Sequence, residues 1–230
     1  MAKETLDVKI LDWLKSEMRR HTDGRIGIDA DTALDAVRYV VLDTELTSLD
    51  KRSNRLLSVG AIVMEGPKIR LGEQFYRVVN PGVPVPAESV VIHQLRSEDV
   101  EGGEPLAESL NDLLRFIADA VLVGHFVNID LKVLRKELSS EGHELNNAAI
   151  DTARVHHWIL RHGPYSEELA SQLEQLDLPT VARFYGLVSG DAHHALSDAF
   201  LTAQVWQKML HALPAKKVGT LMELLRVGGV

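Results

Sequence analysis

Two carboxylates, Asp43 and Glu45, stand two residues apart where an apolar run of the sequence ends. If that run, residues 37–42, is a β-strand, side chains at i and i+2 share one face, roughly 6.6 Å apart along the strand. Two unpaired acids at that distance repel each other, and a divalent cation such as Mg²⁺ or Mn²⁺ removes the repulsion because it prefers hard oxygen ligands. A strand end that emerges into solvent is the alternative, so the pair alone leaves both interpretations open.

Two more acids and a histidine stand where α/β proteins build sites. Asp130 comes six residues after Gly124, at a predicted strand-to-helix transition. Asp198 lies among small and apolar positions of a predicted helix, five residues after His193. Four carboxylates can hold two divalent ions about 3.5–4 Å apart, and an imidazole that titrates near neutrality can take a proton from an attacking water. Taken singly, each acid is more often a helix cap or a surface residue.

The composition limits what kind of protein this is. The 230 residues carry 25 Lys and Arg against 33 Asp and Glu, which gives a formal net charge of −8, and they include no cysteine. Without cysteine there are neither disulfides nor thiolate ligands, so any metal must be held by oxygen or imidazole. The acidic balance argues against binding nucleic acid mainly through a broad basic surface, although an enzyme that binds only a chain end needs few phosphate contacts.

The hydrophobic pattern addresses location and size. No stretch approaches the roughly 20 apolar residues that cross a bilayer, and acids occupy the place where a secretion signal needs an apolar core. We therefore expect a cytoplasmic protein without membrane contact. An apolar fraction of 45% over this length allows one large domain, or one domain with an extension.

The periodicity of apolar residues predicts the elements that position these side chains. Strands are predicted at 37–42, 55–64, 69–79, 121–124 and 148–150, and helices at 104–120, 131–138, 153–160 and 195–210. Three strands followed by alternating helices and strands predict an α/β domain with a mixed sheet flanked by helices.

Three segments in order resemble the three motifs of the DEDDh 3′–5′ exonucleases, in particular the proofreading epsilon subunits of bacterial DNA polymerase III and their stand-alone relatives. These are Asp43-Thr44-Glu45-Leu46-Thr47-Ser48-Leu49, Gly124-His125-Phe126-Val127-Asn128-Ile129-Asp130 and His193-His194-Ala195-Leu196-Ser197-Asp198-Ala199. The similarity spans about residues 38–210. It implies a ribonuclease-H-like fold and release of nucleoside 5′-monophosphates from a 3′ end with two divalent ions, Mg²⁺ or Mn²⁺.

The resemblance also implies a role for individual residues. Asp43, Glu45, Asp130 and Asp198 would be the metal ligands, and His193 the general base. His194 is the rival base, and the family spacing of five residues before the last Asp selects His193. The implied substrate contacts are Thr44, Leu46, Thr47, Leu49, His93 and His125, and for Leu49 ordinary loop packing is the alternative.

Three positions depart from the family pattern. Ser48 stands where many relatives have Gly, Phe126 where Asn is usual, and Ile129 where Phe is usual. These changes affect substrate contacts and local packing, and they leave the five catalytic positions intact. They put nucleotide preference in doubt more than activity.

We divide the chain into an N-terminal helical extension (1–36), an exonuclease domain (37–212) and a C-terminal tail (213–230). Apolar spacing predicts an amphipathic helix over 6–18, a short helix over 31–36, and a short tail helix after residue 214. The extension either covers apolar surface of its own domain, which we favour, or docks a partner.

The sequence leaves three functions open. The first, which we favour, is a two-metal 3′–5′ exonuclease acting on single-stranded or frayed 3′ ends, with a polymerase as a possible partner. The second is a nuclease that trims short RNA, because discrimination of ribose rests on only a few contacts to the 2′-OH. The third is a non-catalytic nucleic-acid-binding module, which predicts the loss of at least one carboxylate, and none is lost.

Overall fold

The structure, a computed structural model, describes residues 29–48, 54–83, 95, 97–164, 176–188 and 194–230. The helix predicted over 6–18 lies outside these residues. Most of the described chain folds around one mixed sheet, and helices cover both of its faces.

The described chain forms a six-stranded sheet. Its strands are β1 (Arg38–Leu46), β2 (Leu56–Glu65), β3 (Lys68–Asn80), β4 (Glu104–Pro105), β5 (Val121–Gly124) and β6 (Ala149–Asp151). Their order across the sheet is β4-β3-β2-β1-β5-β6. The pairs β1/β2 and β2/β3 are antiparallel, whereas β1/β5, β5/β6 and β3/β4 are parallel. The mixed α/β architecture predicted from the sequence is confirmed.

The helices fill the connections between the strands and extend beyond the last one. They are α1 (Ser97–Glu101), α2 (Leu106–Ile117), α3 (Asn128–Ser140), α4 (Thr152–Arg161), α5 (Leu178–Phe184), α6 (Ala195–Ala212) and α7 (Leu221–Gly228), with a 3₁₀ turn at Pro214–Lys216. The predicted helices before β5, after β5, after β6 and near the C-terminus are all present. The helices α1 and α5 and the short strand β4 were not predicted.

Alternation along β1 divides the core into two layers. Tyr39 and Val41 point to one face, where α4, α5, α6 and α7 pack, and Val40 and Leu42 point to the other, where α2 and α3 pack. Asp43 and Glu45 continue the first series, so they face α6. Thr44 continues the second series and faces α3.

The long helix α6 is fixed onto this first face by large buried side chains. Trp206 of α6 is fully buried and meets the ring of Tyr39 edge to face, with centroids 5.6 Å apart. Such aromatic pairs contribute roughly 0.5–1.5 kcal/mol beyond the area they bury. The helix therefore has a defined position above β1 and β2, and its first turn has a defined position too.

Residues 29–36 and the C-terminal tail pack together against the main body. The backbone NH of Leu34 donates to Gly219 and that of Leu221 donates to Thr32, while Ala33 bridges to Thr220. The short helix predicted over 31–36 is wrong, because these residues form turns whose backbone groups bond to the tail. The tail helix is confirmed as α7, which begins with a capping box between Thr220 and Glu223.

A membrane-spanning helix must have both sufficient length and sufficient apolar character. None of the helices of the described residues combines the two.

Candidate active site

Three of the four predicted carboxylates converge at one end of the sheet. Asp43 and Glu45 project from the last part of β1, and Asp198 projects toward them from the first turn of α6. One oxygen from each lies within 4.8 Å of the others. Two strand residues and one helix residue, more than 150 positions apart in the chain, thus form a single acidic cluster.

Gly60 is the reason that α6 can approach this closely. It lies opposite Asp43 in the register of β1 and β2. A Cβ atom at Gly60 would fall 2.2 Å from the amide nitrogen of Leu196 and 2.4 Å from the carbonyl carbon of Ala195. Because no side chain fills this space, the backbone at the start of α6 rests directly on the sheet and brings Asp198 to the cluster.

Asp130 comes from the opposite face of the sheet. It stands in the first turn of α3 and is buried. Its Oδ1 accepts a hydrogen bond from the backbone NH of Thr44 at 3.0 Å and another from the Thr44 hydroxyl. Thr44 lies between Asp43 and Glu45, so the two bonds tie α3 to the part of β1 that carries the cluster. Asp130 is the fourth carboxylate at this strand end.

Burial and neighbouring charges raise the affinity of Asp43, Glu45 and Asp130 for protons. Burial raises the pKa of Asp43 well above its usual range, and the charges of Asp130, Glu45 and Asp198 raise it further. Burial and the charges of Asp198 and Asp130 raise the pKa of Glu45 to about 7. Burial also raises the pKa of Asp130 to about 7, although its hydrogen bonds with Thr44 act in the opposite direction. The site is therefore a concentration of buried acidic groups at one end of the sheet.

The donor set fits divalent cations of the hard type. All four groups offer carboxylate oxygens, which suit Mg²⁺ and Mn²⁺, and the three of the cluster are close enough to share an ion. Burial and the charges of neighbouring acids raise the pKa values of Asp43 and Glu45, and a bound cation relieves that repulsion. A buried acidic cluster on rigid elements is an arrangement that costs stability unless a positive charge joins it.

Of the two histidines considered as general base, only His194 lies within the described residues. His193 lies outside the described residues. His194 immediately precedes α6, and its exposed ring stacks on Tyr76 of β3 with centroids 4.6 Å apart. Tyr76 lies opposite Gly60, which in turn lies opposite Asp43. The start of α6 is thus held against three adjacent strands beside the cluster.

Of the predicted substrate contacts on the first motif, Thr44 and Leu46 lie in β1 and Thr47 directly follows it. Thr47 is buried; its backbone NH donates to the Arg55 carbonyl at 3.0 Å, and its hydroxyl accepts from the Arg55 NH at 2.9 Å. Leu46 is half-buried against the apolar layer under α2 and α3. Leu49 and His93 lie outside the described residues.

His125 is held by the protein on both ring nitrogens. Nδ1 lies 2.8 Å from the hydroxyl of Thr152, and Nε2 donates to the carbonyl of Leu176. Burial lowers the pKa of His125, although the Leu176 carbonyl and nearby acids raise it in part. This ring joins the end of β5 to the start of α4 and to the segment before α5, so a substrate contact through its nitrogens requires an exchange of partners.

Sequence reasoning missed two residues that shape the site, Gly60 and Tyr76. For Gly60 a signal existed, because an isolated glycine inside a predicted strand often marks a close approach of another backbone. Nothing in the sequence pattern pointed to Tyr76, whose position follows only from the pairing of β3 with β2.

A comparison with protein families places most of the chain in one of them. The family described as Exonuclease, RNase T, matches residues 40–206. These residues include the carboxylates of β1, α3 and α6 and the whole sheet from β2 to β6.

Individual relatives agree with this match. The chain is 32% identical over 182 residues to DNA polymerase III subunit epsilon of Rickettsia typhi, covering 75% of this chain and 74% of that protein. It is 28% identical over 184 residues to the protein of the same name from Aquifex aeolicus, covering 80% and 85%. Several longer relatives are matched over only 12% to 26% of their own length.

Solved structures show the same fold. An Escherichia coli exonuclease I–ssDNA complex in its zinc-bound form superposes with a TM-score of 0.67 at 16% sequence identity, over 77% of this chain and 41% of that one. The ribonuclease-H-like fold predicted from the sequence is confirmed. The chain belongs to the RNase T exonuclease family, and as a member of it is a 3′–5′ exonuclease.

Proposed function

We propose that this chain hydrolyses phosphodiester bonds at single-stranded or frayed 3′ ends of DNA and releases nucleoside 5′-monophosphates, with two divalent cations, Mg²⁺ or Mn²⁺. The observation that carries the proposal is the cluster of Asp43, Glu45 and Asp198, whose oxygens lie within 4.8 Å of one another. Asp130, tied to β1 through Thr44, is proposed as the fourth ligand.

The division of labour between protein and ions follows from this donor set. When bound, the ions would lower the pKa of the attacking water and stabilise the negative charge on the leaving oxygen. The carboxylates of the protein hold them on rigid elements, two on a strand and two on the first turns of helices. His193 is proposed to accept the proton of the attacking water, which rests on its place five residues before Asp198 and on the family resemblance.

The proposed contacts to the terminal nucleotide come from the family resemblance. They are Thr44, Leu46, Thr47, Leu49, His93 and His125. Thr47 supports this in one respect, because its two bonds to Arg55 hold it next to the end of β1 that carries Glu45.

The choice of DNA is supported by the relatives. Two epsilon subunits of DNA polymerase III cover three quarters or more of this chain, and the exonuclease I of similar fold is seen with single-stranded DNA. The names of the same relatives support a polymerase as a protein partner. Location in the cytoplasm stays a prediction.

A labelled-strand assay tests the function. DNA and RNA strands carrying a 3′ or a 5′ label are incubated with the protein and Mg²⁺ or Mn²⁺, with and without chelator. We expect mononucleotide as the first product from 3′-labelled DNA, and no product in chelator. First release of the 5′ label, or binding without cleavage, would contradict the proposal, and cleavage confined to RNA would contradict the choice of DNA.

Asp198→Ala provides the matched test of the cluster. We expect it to lower turnover by several orders of magnitude because one proposed metal ligand is removed, while circular dichroism shows an intact fold. Asp119→Ala, at an exposed acid that follows α2, is the control that removes the same charge elsewhere. Near-normal turnover of the Asp198 variant would remove this residue from the site.

A further inference from the structure

A second concave surface lies beside the site, and its chemistry is opposite to that of the acidic cluster. It is a cleft of about 660 Å³ between the end of β5, the outer face of α4 and the end of α7. The side chains that give it its character are cationic or aromatic: Phe126, Arg154, His157, Trp158, Arg161 and Arg226. Its volume lies within the range of ligand-binding pockets. We call this surface the basic cleft.

The positive charge of the basic cleft follows from helical spacing. Arg154, Trp158 and Arg161 recur at intervals of four and three residues, which places them on one stripe of α4. Arg226 faces this stripe from α7, and all three arginines are exposed. In a chain whose net charge is −8, three arginines around one cleft are a local reversal of charge. Such a surface attracts an anionic ligand.

One carboxylate in the lining offsets only part of these charges. Of the described residues that line the basic cleft, Asp151 is the only one with a carboxylate. Its Oδ1 accepts from the backbone NH of Ala153 at 2.9 Å and from that of Phe126 at 3.2 Å, and the residue is buried. Asp151 therefore serves the backbone at the start of α4.

Two aromatic side chains, Phe126 and Trp158, line the basic cleft. Trp158 stacks on His162 with centroids 4.3 Å apart. Phe126 is 42% exposed and has a φ of +54°, in the left-handed region that bulky residues rarely adopt. The NH of Phe126 is held by Asp151 in this conformation. The Phe126 ring packs edge to face on His125 with centroids 4.8 Å apart, and its exposed part, at a strained backbone position, points to a role in binding.

The basic cleft opens at the same edge of the sheet as the acidic cluster. Phe126 follows β5, and Asp130 comes four residues later. Asp151, at the end of β6, is close enough to Asp130 for its charge to act on that carboxyl group. A chain that ends at the acidic cluster can therefore continue along the basic cleft.

We propose that the basic cleft binds the single-stranded segment of the nucleic acid substrate beyond its terminal nucleotides, with the arginines on phosphates and the rings of Phe126 and Trp158 on bases. Arginines that follow a backbone and aromatic rings on which bases stack are the combination that binds single strands without sequence preference. The inference rests on the proposed function. It adds that this enzyme prefers long strands to short ones.

The test compares substrate length in the full-length protein. Strands of about 15 and about 3 nucleotides span the range from an occupied to an empty cleft. The variant Arg161→Ala with Arg226→Ala removes two charges and keeps Arg154, whose guanidinium donates to the Gly229 carbonyl. We expect the ratio of kcat/KM for the long strand to that for the short strand to fall roughly ten-fold. The salt dependence of long-strand binding should become shallower, by about 0.7 per lost phosphate contact.

The control removes two arginines that lie elsewhere. Arg70 pairs with Glu65 and Arg115 pairs with Asp112, both away from the basic cleft. The double variant Arg70→Ala with Arg115→Ala should keep the long-to-short ratio of the parent. The same ratio in parent, cleft variant and control would overturn the proposal, and so would an equal loss on both strand lengths.

A second variant addresses the aromatic rings. Phe126→Asn suits the left-handed backbone and removes the ring, so the protein is expected to fold at least as well. We expect roughly five-fold or greater loss of long-strand affinity by fluorescence anisotropy in chelator. Because this measurement needs no turnover, it separates the two proposals: strand binding through the cleft without hydrolysis contradicts the proposed function alone. If the Phe126→Asn variant bound the long strand as tightly as the parent, the cleft would not be a strand site. The same holds if the variant lost affinity for a labelled glutamate-rich peptide but not for the strand.

Discussion

Asp43 and Gly60 face each other across β1 and β2, and the start of α6 occupies the space that a side chain at Gly60 would take. The absence of a side chain at Gly60 lets α6 pack against the sheet, and this packing brings Asp198 close to Asp43. The cluster of three carboxylates thus depends on a residue that has no side chain.

Gly60→Ala is expected to disrupt the site although it removes no functional group. The added methyl would lie 2.2 Å from a backbone atom of Leu196, so α6 must shift away and take Asp198 with it. Misplacement by about 1 Å can cost on the order of 100-fold in rate. Steady-state kinetics should therefore show kcat/KM lowered by roughly that factor, together with weaker binding of Mn²⁺ by calorimetry.

Gly72→Ala is the matched control for this change. Gly72 lies in β3, and a Cβ atom there meets nothing within 4 Å. Its rate and metal affinity should stay at the parent values. A Gly60→Ala variant as active as Gly72→Ala would show that α6 tolerates displacement and that the cluster geometry does not depend on the glycine.

Asp43→Asn should separate stability from function. In the metal-free protein, burial and then the charges of three neighbouring acids raise the pKa of Asp43. Removing its charge relieves repulsion, so we expect the Tm in chelator to rise by a few degrees. The same change removes a proposed ligand, so added Mn²⁺ should no longer raise the Tm and nuclease activity should be lost. Differential scanning fluorimetry with and without Mn²⁺ measures both effects. A lower Tm in chelator would mean that Asp43 stabilises the fold by other contacts.

The shared orientation of Asp43 and Glu45 was predictable from the sequence, whereas the packing of α6 that brings Asp198 to them was not. Asp43 and Glu45 share a face because of the two-residue repeat of a strand, which depends only on neighbouring residues. The position of Asp198 followed from the family resemblance, since no periodicity relates a helix residue to a strand so distant in the chain. The approach of α6 to Gly60 depends on packing between elements.

The wrong and missed elements have different physical reasons. Residues 31–36 have the composition of a short helix, yet backbone bonds to the tail, such as Leu34 to Gly219, determine their conformation. The helix α5 had a signal that was overlooked: Asp177 caps it by accepting from Thr180, and Pro179 stands near its start. Tertiary contacts outweighed the pattern in the first case, and capping chemistry was present in the second.

The metal-free protein should become less stable as pH rises from about 4.5 to above 7. The pKa values of Glu45 and Asp130 are raised to about 7 in the folded state. The folded state therefore binds more protons than the unfolded state in this range, and stability is lost as pH rises through the folded pKa values. Tm measured in chelator should fall across this window, and Mn²⁺ should restore it at the upper end. A Tm in chelator that rises with pH would contradict the shared burial of these acids.

Glu45→Gln is the control for the pH dependence. It removes one of the titrating acids, so its Tm should fall less steeply with pH than that of the parent. Burial of His156 acts in the opposite direction, because it lowers the pKa of that ring to about 4. The variant leaves His156 in place, so the difference between the two curves isolates the carboxylate. Parallel curves would show that Glu45 does not titrate in this window.

His193→Ala should lower kcat by roughly 10²–10⁴-fold, which is the usual contribution of a general base. Adjacent His194 serves as the matched control, since its exposed ring stacks on Tyr76 beside the cluster. His194→Ala should change kcat by much less, because stacking positions the start of α6 without moving a proton. The pH–rate profile decides between them: loss of the acidic limb should accompany the His193 variant alone. If His194→Ala removed that limb and gave the larger loss, the base would be His194, and the five-residue spacing to Asp198 would not identify it.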